Sequence, residues 1–239
     1  MKLVAIVPAY NAARHLPDLI GRIIATPLPG LFRTVIVDDG SQDGTPRVAH
    51  DLARDTKGIE VVVRPRNGGY GAAMKTGLEI ARALGADRAA SVHADGQYSP
   101  EVLPALLAAL DERRLDLLQG SRVAGGQARA GGMPLYKIGG NWALGQLERR
   151  VFNLPLTDFH SGYLIYGSRA LAQIPFARLS DSFDFDIEVI ATARARGFAV
   201  GEAPIPTHYG DEISYLNPLT YGLRVLRVLW RYRRGIYGM

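Results

Sequence analysis

An imidazole, a carboxylate and an amide stand close together in His93-Ala94-Asp95-Gly96-Gln97, directly after the apolar run 89–92. In an open α/β sheet, ligands bind in the crevice outside the carboxyl ends of the strands, so Asp95 would face a ligand or a metal there. Chemistry-bearing residues also close the earlier apolar runs: Tyr10 after 3–7, Asp38 and Asp39 after 32–37, and Asn67 after 59–63. On parallel strands these ends share one rim. Tyr10 can stack on a nucleobase, Asp39 can accept hydrogen bonds from base N–H groups or ribose hydroxyls, and Asp95 with a divalent cation can hold a diphosphate. Together they read as a nucleotide-diphosphate site. Each also has a plainer explanation: Asp38 and Asp39 can cap turns, Tyr10 can be packing, and Asn67-Gly68 can be an ordinary turn.

The positioning elements follow from hydrophobic periodicity. The apolar runs alternate with helical patterns at 16–24, 72–84 and 100–110, and a further strand is expected over 115–119. Such alternation predicts an α/β fold, a mostly parallel sheet with helices on both faces. No G-x-G-x-x-G follows the first strand, and neither a phosphate-binding G-x-x-x-x-G-K-[ST] nor a G-x-S-x-G elbow occurs, so dehydrogenase, P-loop and serine-hydrolase chemistries drop out. After Ser121-Arg122 a glycine-rich stretch at 123–133 reads as a mobile loop, able to act as a lid. A helix is expected over 134–152, a strand over 162–166, a helix over 185–196 and a strand over 198–203.

With 239 residues and 47% hydrophobic content, the chain can bury one substantial core. It has no cysteine, no signal-peptide pattern and no apolar run long enough to span a bilayer, which places it in the cytoplasm by expectation. The net charge of +5 favours anionic partners, and nothing points to nucleic acid. In the tail, 218–234, Arg224, Arg227, Arg231 and Arg234 share one helical stripe beside Leu, Trp and Tyr. That suits the inner face of an anionic membrane, or a helix docked on its own domain with its arginines in water.

Pro8-Ala9-Tyr10-Asn11, Val37-Asp38-Asp39-Gly40-Ser41, Arg66-Asn67 leading to Gly69-x-Gly71-Ala72-Ala73, and Ala94-Asp95-Gly96-Gln97 together resemble the family-2 glycosyltransferases of GT-A fold. Gly120-Ser121-Arg122, Asp158-Phe159-His160-Ser161-Gly162-Tyr163 and Pro204-Ile205-Pro206 are similar to the polyprenyl-phosphate sugar synthase branch. The likeness covers about 2–215 by motif order. It implies a GT-A domain over 1–215, with a nucleotide-binding half to 120 and an acceptor half beyond, followed by an amphipathic basic helix over 216–239.

The resemblance further implies inverting sugar transfer from a UDP or GDP donor to a polyprenyl phosphate, with Mg²⁺ or Mn²⁺. Pro8, Ala9, Tyr10, Asn11, Asp38, Asp39, Asn67, Gly71, Ala94 and Asp95 would line the nucleotide site. Asp95 and Gln97 would meet the metal. His93 stands where relatives often carry the first acid of an Asp-x-Asp motif, and His93 and His208 are further candidate ligands. Ala12 stands where relatives often have Glu. Arg122, Lys137, Asp158 and Ser161 would serve the acceptor, and Arg122 the leaving diphosphate. A lipid phosphate is already an anionic nucleophile and needs no base. If the acceptor is instead a sugar hydroxyl in glycan synthesis, a base is required, and Asp186 at the start of the 185–196 helix is the candidate. A nucleotide-sugar-binding protein without catalysis is the third possibility. Oligomeric state is not legible.

Overall fold

The structure is a computed structural model that describes residues 1–96, 98–124, 135–206 and 217–238, with side chains outside 135–141. The chain opens with β1 (Leu3–Ala9), α1 (Leu16–Ala25), β2 (Leu31–Asp38), α2 (Thr45–Asp55), β3 (Ile59–Val63), α3 (Tyr70–Ala83) and β4 (Arg88–Ser91). It continues through α4 (Leu103–Glu112), β5 (Leu117–Ser121), α5 (Leu135–Phe152), β6 (Leu164–Tyr166), α6 (Ser168–Gln173), α7 (Phe185–Ala195), β7 (Val200–Pro204) and α8 (Pro218–Arg233). The strands form one 7-stranded sheet in the order β3-β2-β1-β4-β6-β5-β7. Every pairing is parallel except those of β6, which runs antiparallel to both β4 and β5. β1 continues toward β2 on one side and β4 on the other, so the chain reverses direction across the sheet at β1, and a crevice opens there.

The alternation along β1 divides the core. Val4 and Ile6 enter a cluster with Met74 and Leu78 of α3, Val189 and Ile190 of α7, and Val225, Val228 and Leu229 of α8. Leu3, Val7 and Ala9 face the opposite side, with Leu16, Leu19 and Ile20 of α1 and Leu106 and Leu107 of α4. Burial on both faces explains why β1 reads as an unbroken apolar run. The small residues of α3 let it press onto the sheet: a Cβ on Gly77 would lie 2.3 Å from Cγ2 of Ile6.

The outer helices correct one expectation. Arg224 Nη1 lies 3.3 Å from Asp184 Oδ1, and Arg231 Nη1 lies 2.6 Å from Glu188 Oε1, which also accepts from the Tyr237 hydroxyl at 2.6 Å. Two of the four stripe arginines therefore pair with acids at the start of α7, Arg231 half-buried and Arg224 still exposed. The large apolar side chains that α8 exposes are Leu219, Leu223, Leu226 and Trp230, alongside the exposed Arg227 and Arg233. The neighbouring α5 leaves Trp142 exposed. No helix among the described residues is long and apolar enough to cross a membrane.

Candidate active site

A cavity of about 710 Å³ opens at the carboxyl ends of β1, β2 and β4. Pro8, Ala9, Tyr10 and Asn11 line it from β1, Asp39 from β2, Asn67 from the turn before α3, and His93, Ala94 and Asp95 from β4. These expected site residues therefore converge on one hollow. Asp38 does not reach it: fully buried, its Oδ2 accepts from the Ser41 amide at 3.2 Å, and it shapes the turn after β2. Gly71 is also outside the lining, since its Cα packs where a Cβ would meet the Ser180 carbonyl oxygen at 2.4 Å. Gln97 and His208, and the glycine-rich stretch from 125 to 133, lie outside the described residues, as does the side chain of Lys137.

Local chemistry fixes the walls. Asn11 takes the left-handed conformation (φ 50°), which asparagine tolerates, and its Oδ1 accepts from the Gln42 amide at 2.9 Å. Asp39 spends much of its carboxylate on its own surroundings. It pairs with Arg64 and accepts from the amides of Gly68 at 3.1 Å and Gly69 at 2.8 Å, so it shapes the glycine turn as well as facing the cavity. Gly69 has φ 99°, and a Cβ there would strike the Asp181 carbonyl oxygen at 2.4 Å, so no other residue fits this turn without displacing the 180–183 segment.

His93 is held from behind. Its Nε2 is 3.1 Å from the Gly162 carbonyl oxygen and 3.3 Å from the Tyr70 hydroxyl. A carbonyl only accepts, so Nε2 carries the proton and Nδ1 the lone pair. Burial lowers the pKa of the ring, opposed by the charge of Asp95 and the Gly162 carbonyl and assisted by Arg122, so the imidazole is neutral at pH 7. Behind it sits Asp186, which burial raises to about 8 while the Tyr70 hydroxyl pulls it down. Asp186 is buried and is absent from the cavity lining. Asp186, the candidate base for a hydroxyl acceptor, thus lies outside the cavity lining, to which Tyr70 and His93 contribute.

The residues expected to serve the acceptor form a separate buried group. Arg122 clamps Asp158 in two parallel bonds, Nε to Oδ2 at 2.7 Å and Nη2 to Oδ1 at 2.9 Å, and its amide adds a third at 3.1 Å. Burial by itself would raise Asp158, but the Arg122 charge and hydrogen bonds, helped by His160, outweigh it and hold the carboxyl below its ordinary value. The His160 amide donates to Asp158 Oδ1 at 3.0 Å, while the ring lies 2.9 Å from the Tyr221 hydroxyl and 3.1 Å from Glu148 Oε2. Ser161 is buried and donates to the Gly120 carbonyl at 2.5 Å. Neither Arg122, Asp158 nor Ser161 lines the cavity.

The sequence model described as glycosyl transferase family 2 matches residues 4–174. The chain belongs to this family. It is 32% identical over 208 residues to a polyprenol monophosphomannose synthase of Mycolicibacterium smegmatis, covering 85% of this chain and 76% of that protein. It is also 32% identical over 208 residues to an undecaprenyl-phosphate mannosyltransferase of Micrococcus luteus, covering 86% and 83%. Among solved structures, glucosyl-3-phosphoglycerate synthase from Mycobacterium tuberculosis, in complex with Mn²⁺, UDP and phosphoglyceric acid, superposes with a TM-score of 0.70. Its identity is 17%, over 97% of this chain and 78% of that one. The chain is a glycosyltransferase with the GT-A fold.

The cavity of this family-2 glycosyltransferase also holds Asp43 and residues that sequence reasoning missed: Arg14, His15, Tyr70, Ser182 and Phe183. Tyr70, at the start of α3, and Phe183, in the turn before α7, stack with ring centroids 6.0 Å apart and planes 9° from parallel. The signal available for Tyr70 was its place just after Gly69; for Phe183 there was none.

For a divalent cation the described cavity residues supply few donors. Asp95 offers oxygen, His93 can offer only Nδ1, and no cluster of three or more His, Cys, Asp or Glu exists among the described residues. A Mg²⁺ or Mn²⁺ ion here would have few protein ligands, with substrate phosphates and water completing its shell.

Proposed function

We propose that this glycosyltransferase moves a sugar, with inversion, from a nucleoside-diphosphate sugar to a polyprenyl phosphate at a membrane surface. The observation that carries the acceptor is the 32% identity, over more than four fifths of the chain, to two proteins named for polyprenyl-phosphate mannosylation. The site supports it chemically. The cavity's carboxylates are Asp39, Asp43 and Asp95, and Asp39 is engaged by Arg64 and two amides. Asp43 accepts from Thr45, and Asp186 sits behind Tyr70, protonated at neutral pH. An acceptor that arrives already anionic requires no base.

In this reading Tyr10 and Asn11 flank the nucleoside and Asp95 holds a Mg²⁺ or Mn²⁺ against the diphosphate. The bound cation would offset charge on the departing diphosphate. His93, neutral and fixed by Gly162, orients the floor of the site through Nε2–H. A phosphate oxygen of the acceptor bonds to the anomeric carbon as the bond from that carbon to the diphosphate oxygen breaks, and the nucleoside diphosphate leaves. The Arg122–Asp158 pair stiffens the strand end beside this path.

The test is turnover of UDP- and GDP-sugars with Mn²⁺ on short polyprenyl phosphates against free sugars. Transfer to the phosphate, with the anomeric configuration inverted by NMR, is expected. Preference for sugar hydroxyls would return Asp186 to the role of base and refute the acceptor.

A further inference from the structure

The outer face of α8 has no use in the fold. Its inner face, Val225, Val228 and Leu229, is buried in the core shared with β1, and Arg224 and Arg231 are taken by Asp184 and Glu188. At about 100° per residue, Leu219, Leu223, Leu226 and Trp230 fall within about 60° of arc, opposite the buried side. They are 83%, 69%, 45% and 56% exposed, too large a run of apolar surface to be scattered single residues. Arg233 borders the stripe on one edge and Arg227 and Arg234 on the other, all three exposed. Arg234 also lies over the Trp230 ring, its guanidinium carbon 5.1 Å from the centroid. No Asp or Glu occurs from 218 to 239.

We propose that this face docks on a bilayer containing anionic lipid, the four apolar side chains entering the headgroup boundary and Arg227, Arg233 and Arg234 meeting lipid phosphates. The proposal rests on the polyprenyl-phosphate reading above. Charge decides the occupant. Two copies joined through this face would bring six arginines together with no acid on either helix to neutralise them, whereas lipid phosphates supply the counter-charge. The arginines that the sequence grouped into one stripe thus divide into two pairs of purposes: Arg224 and Arg231 fasten α8 to α7, and Arg227 and Arg234, with Arg233, serve the lipid.

The purified full chain is sedimented, without donor or acceptor, with phosphatidylcholine vesicles and with vesicles of phosphatidylcholine and phosphatidylglycerol. Binding to the anionic vesicles only, weakened by raised salt, is expected. Leu223→Glu with Trp230→Glu, and separately R227Q with R233Q and R234Q, should each weaken binding by on the order of tenfold or more while leaving thermal unfolding unchanged. R224Q should lower the unfolding temperature and leave vesicle binding intact. Wild-type protein that stays in the supernatant, or variants that sediment as it does, would overturn the proposal. So would wild-type self-association in equilibrium sedimentation that Leu223→Glu abolishes, which would assign the face to a second copy. Turnover on a short-chain acceptor in free solution is read in parallel: turnover without vesicle binding refutes the docking alone, and vesicle binding without turnover refutes the acceptor reading alone.

Discussion

Asp186→Asn should make the protein more stable at neutral pH, and the gain should vanish in acid. Burial raises the Asp186 carboxyl from 3.8 to about 8, against the pull of the Tyr70 hydroxyl. Below about pH 4 the group is protonated in both folded and unfolded chains and contributes nothing. Between about pH 4 and pH 8 the unfolded chain releases the proton and the folded chain keeps it. The folded form then binds more protons, so stability falls as pH rises through this window and levels off above about 8. The gap between the two values sets a ceiling of roughly 6 kcal/mol. Relaxation and water entry around the ionised form reduce this, and asparagine, similar in shape but never charged, should recover about 2 to 4 kcal/mol at about pH 8.5. For a chain of this length that is a rise in Tm of roughly 5–15 °C, absent at about pH 4. Thermal unfolding of both proteins across that range is the assay. Parallel Tm curves would refute the reasoning. Turnover offers a second reading of the same variant: a loss of about a hundredfold or more would mark a general base, and a smaller loss a residue that supports Tyr70 and His93.

Gly162→Ala adds a Cβ 2.8 Å from His93 Nε2 on a backbone with φ 73°, and should cost about 1 to 3 kcal/mol of stability and abolish donor-induced thermal stabilisation. Breaking the buried clamp with Asp158→Asn should cost about 3 to 5 kcal/mol in denaturant unfolding, whereas the double replacement Arg122→Met with Asp158→Leu should recover most of that stability without recovering turnover. Chelation by EDTA should reduce the thermal stabilisation given by UDP- or GDP-sugar, and Asp95→Asn should reproduce the loss in the presence of Mn²⁺; stabilisation indifferent to both would remove the cation from the donor site.

The half of the fold that carries the cavity was legible because β1 to β4 are apolar runs closed by glycine, asparagine and aspartate, and the parallel sheet follows from the helical patterns between them. β6 was harder: Leu164–Tyr166 is 3 residues long, and a run that short does not reveal that it enters antiparallel between β4 and β5. Adjacent residues of one type were also indistinguishable in sequence. Asp38 and Asp39 look interchangeable, yet successive side chains at a strand end point to opposite sides, so one disappears into a turn and the other reaches the cavity. Arg122 reads in sequence as a cation for the acceptor, and its clamp by Asp158 was not legible, because the partner arrives from a segment beyond α5. The α8 stripe shows the same boundary: periodicity groups Arg224 with Arg231, but only packing reveals the α7 carboxylates opposite them.

The chain's 2 tryptophans stand on the outside of the molecule, Trp142 on α5 at 68% exposure and Trp230 on α8 at 56%. None lines the cavity, where the large rings are Tyr10, Tyr70 and Phe183. Intrinsic tryptophan emission therefore reports on the outer surfaces of two helices and is nearly blind to the cavity. A blue shift or protection from an aqueous quencher signals that an outer helix has left water, while nucleotide binding leaves the spectrum almost unchanged, so the two events can be followed separately in one unlabelled sample.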